Sequence, residues 1–321
     1  MKNYFTFIDM PSNTYNFQRL MCYYLHRRHK WKSASEEIAI AHWCYDDQLS
    51  FVKKYPFYSP FTRKDLLYQY LSTNYEGKQC LPETYLLKNG KWYPRQPFNK
   101  QNSVWFCKHP YRDGSRGIIV SKNFRMFLQE SIRNPTYQFV VQPTIPKPWL
   151  DQGKYKCDIR LWGVITQDSQ RLDLHVFKIG TLRVNPSYYK ELSDSLDHQL
   201  TNSCYFKKNK NLEHLIREFN HSEPLYQKSF SKIISQFKIF WKNYYPILKK
   251  QQNRDTCLEL FGFDFLCNQE GTPFLIECNR KPNFHTLPRY RKCVETLIPT
   301  LLEPIITHTT YLKHPLWEHI N

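Results

Sequence analysis

A chain of 321 residues with 46 Lys and Arg against 28 Asp and Glu carries a net charge of +18, and 41% of its residues are hydrophobic and 17% aromatic. That apolar content excludes a disordered polymer and suffices for two or three packed subdomains, while the charge favours an acidic partner without choosing among nucleic acid, anionic membrane and acidic peptide. No apolar run approaches the ~18 residues of a membrane span, the opening MKNYFTFIDMPSN lacks a signal-like apolar core, and ten single cysteines without CxxC or zinc spacing point to a reducing compartment.

Residues 1–60 read as a small mixed subdomain. A helix is expected over 16–30, with Arg27, Arg28 and His29 on it, and Ser33 placed three residues before Glu36 resembles the capped start of another helix over 38–44. Residues 61–67 open a helix with Thr62 as cap and Asp65 at its third position. Lys64, in the first turn, opposes the helix dipole and so points toward an anion, unless it is simply solvated. A strand begins near Leu81. Residues 103–108 form a further strand, followed by a basic Gly-containing loop over 109–117 and a strand over 118–120. Strand, flexible loop and strand is one way to cover a triphosphate with backbone N–H groups, and Lys108 then reaches the phosphates as a point charge. The loop matches neither the P-loop nor the Rossmann fingerprint. Residues 137–142 are a strand, and the proline-fixed stretch from Pro143 to Trp149 has the look of a hinge against which an ATP base lies.

Alternation over 156–166 places Lys156, Asp158 and Arg160 on one strand face and Cys157, Ile159 and Leu161 on the other. Such a charged row is either a salt-bridged surface or the face of a site. A returning strand covers 171–180, Arg183 continues toward a loop, and 194–202 is polar and irregular. Apolar residues three and four apart over 230–248, among them Phe237, Phe240 and Tyr244, predict a helix that buries an aromatic stripe in the core. A closing helix is expected over 294–306, interrupted by Pro299 and Pro304.

Residues 257–279 read as a β-hairpin. With Glu270 and Gly271 as the central turn residues, Gln269 faces Thr272 and Asp264 faces Glu277, roughly 5 Å apart at Cβ, with Asn279 on the same face. Two opposed carboxylates on a largely buried hairpin are costly unless a cation sits between them. Carboxylate oxygens completed by phosphate oxygens suit Mg²⁺, although the hairpin alone leaves open a half-exposed version whose acids face water.

The segments 62–66, 105–108 with Gly117-Ile118, 139–142, 156–160, 180–183, 199–202, 259–264 and 274–279 occur in an order that resembles the tubulin-tyrosine ligase-like family, a branch of the ATP-grasp ligases, from about Tyr55 to Pro282. The resemblance implies an α/β (α+β) ATP-grasp fold, with nucleotide between two sheet-containing subdomains: an N-terminal domain over 1–60, a central part over 61–146 and a C-terminal part over 147–321. It implies that Lys64 and Lys108 approach the phosphates, that Gln142, Pro143 and Ile145 hold the adenine, and that Lys156 and Asp158 contact the nucleotide. Asn202 would lie at the phosphate or substrate end. Asp264, Glu277 and Asn279 would hold Mg²⁺, and Arg160 and Arg183, with Glu277, would serve catalysis. The implied reaction is ATP-dependent carboxylate–amine ligation, joining glutamate, glycine or tyrosine to an acidic protein tail, most naturally the tubulin C-terminal tail. The implied setting is a cytoplasmic, microtubule-associated monomer with no nucleic acid or membrane as partner. An ATP-grasp ligase acting on another acidic acceptor and a non-catalytic basic microtubule-binding homologue are the competing readings, and the intact Asp264, Glu277 and Asn279 set weighs against the second. Three departures stand out: Ser115 where the family usually has Gly, which stiffens the phosphate cover; Pro143, which retains only its carbonyl; and Cys278 for the usual Val.

Overall fold

A computed structural model describes residues 59–95, 97, 103–112, 115–201, 215–252, 257–279, 282, 293, 296–301 and 312–321, together with the backbone of 4–8, 32–33 and 41–44. The earliest strands, β1 (Tyr4–Ile8), β2 (Lys32–Ser33) and β3 (Ala41–Cys44), form a parallel sheet in the order β2-β1-β3. This corrects two expectations. Ala41–Cys44 is a strand rather than the end of a helix, and Ser33 lies in a strand rather than at a helix cap. Pairing with the β-branched and aromatic run Tyr-Phe-Thr-Phe-Ile outweighs a weak helical preference over so short a segment. The helix expected over 16–30 lies outside the described residues.

A five-stranded antiparallel sheet has the order β5-β4-β8-β6-β7, built from β4 (Tyr85–Lys88), β5 (Lys91–Tyr93), β6 (Trp105–Lys108), β7 (Ile118–Ser121) and β8 (Phe139–Pro143). Alternation sorts its faces. Trp105, Cys107, Phe139 and Val141 pack under a helix, Phe124–Arg133, through Phe124 and Phe127. Phe106, Lys108 and Gln142 therefore point to the opposite side.

The larger sheet has eight strands and is antiparallel throughout. Its long central strand β10 (Tyr155–Gln167) is paired at its first residues by the short β9 (Leu150–Asp151). Along one edge it is flanked in succession by β12 (Gly180–Tyr188) and β11 (Leu172–Phe177), and along the other by β14 (Cys257–Cys267). β13 (Ile216–Phe219) borders β12, β15 (Pro273–Asn279) borders β14, and β16 (Trp317–Ile320) borders β11. The odd-numbered face of β10 is apolar. Ile159, Leu161 and Ile165, with Phe261, Phe263 and Phe265 of β14, pack against the helix Pro224–Gln251. That helix buries Ile233, Phe237, Phe240, Trp241, Tyr244 and Leu248, and Phe237 and Phe240 meet Phe263 edge-on at 4.8 and 5.3 Å. The aromatic stripe is thus core, each such side chain contributing about 1.5–3 kcal/mol by burial. The helix is longer than the expected 230–248 because Pro224 opens it at a position that needs no N–H donor. No helix among the described residues is long and apolar enough to cross a membrane.

Four further expectations change. Thr62 ends a short helix, Ser59–Thr62. The next helix, Lys64–Leu71, is capped by Arg63 in extended backbone, so Asp65 is its second residue and is held by the Arg63 guanidinium at 2.7 Å. Arg183 lies inside β12 rather than leading into a loop, since β12 is paired on both sides, Arg183 opposite Asp158 and Ile216. The polar stretch after Asp194 contains a short helix, Leu196–Gln199, where an irregular segment is expected. Residues 296–301 are helical through Pro299, where an interruption is expected, with Leu297, Ile298 and Leu301 fully buried. The six cysteines described as free, Cys80, Cys107, Cys157, Cys267, Cys278 and Cys293, are all buried.

Candidate functional site

Between the two large sheets lies a cleft lined by residues of both. Its apolar wall is formed by Phe106, Ile118, Pro143, Ile145, Leu200 and Leu266. Its polar wall comes from the even-numbered face of β10 and from the hairpin. Lys64, Lys108, Gln142, Pro143, Ile145, Lys156, Asp158, Arg183, Asp264 and Glu277, ten of the residues singled out by sequence, line this one space. Arg160 and Asn279 stand directly behind them, bonded to Asp264. Asn202 lies outside the described residues.

The hairpin places its carboxylates by an unexpected route. The connection is a three-residue loop in which Asn268 faces Thr272, rather than a two-residue turn in which Gln269 does. Gly271 N–H donates to the Asn268 carbonyl at 2.9 Å, and the Asn268 side chain accepts from Thr272 N–H at 2.8 Å. Gly271 takes the positive φ of 72° that this loop requires. The longer loop shifts the pairing by one residue near the tip, giving Cys267 opposite Pro273. A bulge between Asp264 and Phe265 then absorbs Ile276 and restores Asp264 opposite Glu277. Because a bulge turns adjacent side chains to one side, Ile276 and Glu277 both reach the cleft. Asn279 Nδ2 donates to both acids, at 3.2 Å to Asp264 and 3.1 Å to Glu277.

The charges fall into two groups. Asp264 is gripped by Arg160, through Nε and through Nη2 at 2.8 Å, and by Arg183 Nη2 at 3.0 Å. Asp158 accepts from Arg183 Nε at 2.5 Å and from the Thr201 hydroxyl. Burial pushes the Asp158 carboxyl up against the pull of Arg183, and the nearby Asp264 charge adds to the rise. Burial alone would raise Glu277 too. Lys64, 3.2 Å away, and the Asn279 amide outweigh it and hold Glu277 well below the usual carboxylate range.

The second group lacks carboxylates. Lys108 Nζ donates to Gln142 Oε1 at 2.6 Å, and Gln142 passes its amide N–H to Thr84 at 2.8 Å. Lys156 Nζ donates to Gln199 Oε1 at 3.3 Å, and both ammonium groups stand over the Phe106 ring, at 5.9 and 5.1 Å. Neither forms an ion pair with a carboxylate among the described residues. Burial lowers Lys108 to about 8 and, with Lys108 repelling it, lowers Lys156 to about 7. Two buried ammonium groups resting on neutral amides and an aromatic face keep charge that a bound anion could balance.

The loop between β6 and β7 closes this end. Gly117 has a φ of 71°, and a Cβ there would stand 2.8 Å from Arg112 Cδ and 2.9 Å from His109 Cβ. Ser115 adopts a φ of 67°, a left-handed conformation suited to glycine, and its buried hydroxyl has no hydrogen bond among the described residues.

The donor set fits a nucleotide and a hard cation. A carboxylate offers about four lone-pair positions. Glu277 uses two of them, on Lys64 and Asn279, and keeps the rest for a cation. Asp264 already accepts from Arg160 twice, from Arg183 and from Asn279, so it would take up a cation by exchanging one of these. Residues that sequence reasoning missed are Phe106, which the same alternation that selects Lys108 would have found, and Arg112 of the basic loop. Gln199 and Thr201, both within the segment 199–202, anchor Lys156 and Asp158.

A family model described as the tubulin-tyrosine ligase family matches residues 45–314. Among curated proteins, the chain is 26% identical over 254 residues to a probable tubulin polyglutamylase, TTLL2, of Homo sapiens, covering 71% of this chain and 41% of that one. It is 23% identical over 274 residues to the tubulin polyglutamylase TTLL6 of Homo sapiens, covering 76% and 30%. It is 24% identical over 233 residues to tubulin glycylase 3A of Drosophila melanogaster, covering 66% and 23%. The chain therefore spans less than half the length of these relatives.

Proposed function

The chain belongs to the tubulin-tyrosine ligase family, with its ATP-grasp type of fold, and from that premise we propose that it is an ATP- and Mg²⁺-dependent ligase that joins an amino acid to a carboxylate of an acidic protein tail. The observation that carries the reading is the cleft itself, where buried lysines without carboxylate partners face a pair of opposed acids. The names of the relatives support glutamate or glycine as the added residue and tubulin as the acceptor. The +18 charge supports an acidic tail at the microtubule in the cytoplasm. With this reading goes the three-part division at residues 60 and 146, the helices of 59–79 resting on the large sheet.

In this proposal the apolar wall takes the base, with the backbone from Pro143 to Ile145 bonding its edge. Lys108 and Lys156 neutralise phosphate oxygens, and Lys64 joins them from the helix N-terminus. Asp264 and Glu277, steadied by Asn279, would hold Mg²⁺, which when bound supplies charge neutralisation on the transferring phosphoryl group. The acceptor carboxylate attacks the γ-phosphorus and ADP departs. The amine of the incoming amino acid then attacks the acyl carbon, and phosphate and a proton leave. Arg160 and Arg183 are fixed by Asp264 and Asp158, which preorganises them for the oxyanion of that second step.

Intact-mass analysis of purified tubulin incubated with the protein, ATP, Mg²⁺ and all amino acids tests this reading. Discrete glutamyl or glycyl additions that require both ATP and wild-type Glu277 are expected. Unmodified tubulin with intact ATP binding would redirect the reading to another acidic acceptor, and loss of ATP binding as well would end it.

A further inference from the structure

A second cluster of ligand-type side chains lies away from the cleft. Strands β11 and β16 pair so that His319 sits directly opposite His175 and diagonal to Asp173, which is two residues from His175 on the same face. The alternation of Leu172–Phe177 fixes that face, and the register of the edge strand brings the second imidazole onto it. His175 pairs with Val164 of β10, six residues beyond Asp158 and so roughly 20 Å along the strand from the charged row. This cluster and the nucleotide cleft are separate places on one sheet.

One potential ligand atom from each of Asp173, His175 and His319 lies within 4.8 Å of the others. The His319 Nε2 to Asp173 Oδ1 distance is 3.1 Å, and the two imidazole rings have centroids 4.9 Å apart at an interplanar angle of 27°. A tetrahedral ion with bonds of about 2.0–2.1 Å holds its ligand atoms roughly 3.4 Å apart and two bound imidazoles at ring-centre distances of about 5 Å. Asp173 and His319 already meet the first requirement and the two rings meet the second.

We propose that Asp173, His175 and His319 form a binding site for a divalent transition-metal ion of the zinc type, with water completing the tetrahedron. Two imidazoles and a carboxylate are borderline donors that select Zn²⁺ over Mg²⁺. His175 is fully buried, while the side chains of Asp173 and His319 are 22% and 29% exposed, which leaves an entry path from solvent. The ion would tie the outermost strand of the sheet, β16, to β11. β16 is already anchored by its pairing with β11, by the Lys178–Glu318 ion pair at 3.0 Å, by the buried Ile320, and by Trp317, which donates to the Thr300 hydroxyl at 2.9 Å and lies 5.0 Å from the Phe177 ring.

The test uses the full chain, stripped with EDTA and titrated with Zn²⁺ alone in buffer containing millimolar Mg²⁺. Bound metal is read by elemental analysis, Tm by thermal unfolding, and coordination by the visible spectrum of the Co²⁺ form. The wild type and Glu277→Gln are expected to take up one equivalent with a rise in Tm and a tetrahedral Co²⁺ spectrum. His319→Gln and Asp173→Asn, both at partly exposed positions, are expected to weaken uptake at least about tenfold. Should one of these two fail to fold, the other carries the test. The proposal is overturned by no uptake in the wild type, by unchanged uptake in the folded variants, or by loss in Glu277→Gln alone, which would place the ion at the acidic hairpin.

Discussion

The cleft contains two sets of buried cations that are equally removed from water and differ only in their partners. Arg160 and Arg183 are neutralised by Asp158 and Asp264, so their charges are complete within the protein. Lys108 and Lys156, 8% and 2% exposed, rest on the amides of Gln142 and Gln199, so theirs are not. The first set is architecture that a ligand meets ready-made. The second is a standing cost, of several kcal/mol for a fully charged buried ammonium, that an arriving anion relieves.

The comparison breaks most visibly at Asp264. Asp264→Ala takes from the buried Arg160 guanidinium its Asp264 carboxylate and leaves Arg183 with Asp158 alone, and a loss of about 3–5 kcal/mol in unfolding free energy is expected, together with loss of ligation. Chemical denaturation and the tubulin mass assay measure the two. Lys156→Met is expected to do the opposite to the nucleotide-free protein, leaving its stability unchanged or higher because an unpaired charge is replaced by a similar apolar volume. The same variant should weaken ATP binding by about 10–100-fold, the worth of one charge-assisted hydrogen bond. Equal destabilisation by the two substitutions would mean that the cations do not differ in kind.

Titration sharpens the contrast. Lys108 and Lys156 stand at about 8 and about 7 in the folded chain, lowered by burial, against about 10.4 for an unfolded lysine. Between those limits the unfolded state binds more protons, so the stability of the nucleotide-free protein rises as pH increases from about 7 to about 10.4, and the lysine penalty is fully present below pH 7. Nucleotide phosphates restore the charged forms, so ATP binding at pH 8 to 9 is expected to take up protons. Calorimetry in buffers of different ionisation enthalpy reads that uptake directly, and proton release would contradict it.

Much of this arrangement is legible in the sequence because strand periodicity is rigid. The charged row Lys156, Asp158 and Arg160 and the pairing of Asp264 with Glu277 follow from alternation and a turn. The hairpin also shows where such counting stops. Its loop is one residue longer than the Glu270-Gly271 turn suggests, and the register at the acids survives because Ile276 is bulged out. Neither device has a sequence signature strong enough to read. The partner of each charge was equally hidden. That Lys64 meets Glu277 depends on how the helix Lys64–Leu71 packs against the hairpin, and that Lys108 meets Gln142 depends on the pairing of β6 with β8, neither of which local patterns encode. The strand at Ala41–Cys44 and the place of Arg183 inside β12 were lost for the same reason, since neighbouring strands rather than local propensity decide both.

The smallest effect lies in the cover of the cleft. Ser115 holds a φ of 67° and a buried hydroxyl with no hydrogen bond among the described residues, two local costs in a loop that Gly117 already bends. Ser115→Gly removes the left-handed strain, worth about 1–3 kcal/mol, and the stranded hydroxyl, but gives the unfolded chain about 0.5–1 kcal/mol of extra entropy. A net gain of about 1 kcal/mol in stability is expected, visible as a small rise in Tm. Because the loop borders the lysine end of the cleft and not the arginine pairs, the same change should speed nucleotide exchange while leaving the denaturant response of Asp264→Ala untouched. Additive stabilities in the double variant, with faster release of a fluorescent ATP analogue, are the expected pair of results. Strong coupling between the two positions would show that the cover and the ion-paired floor act as one unit.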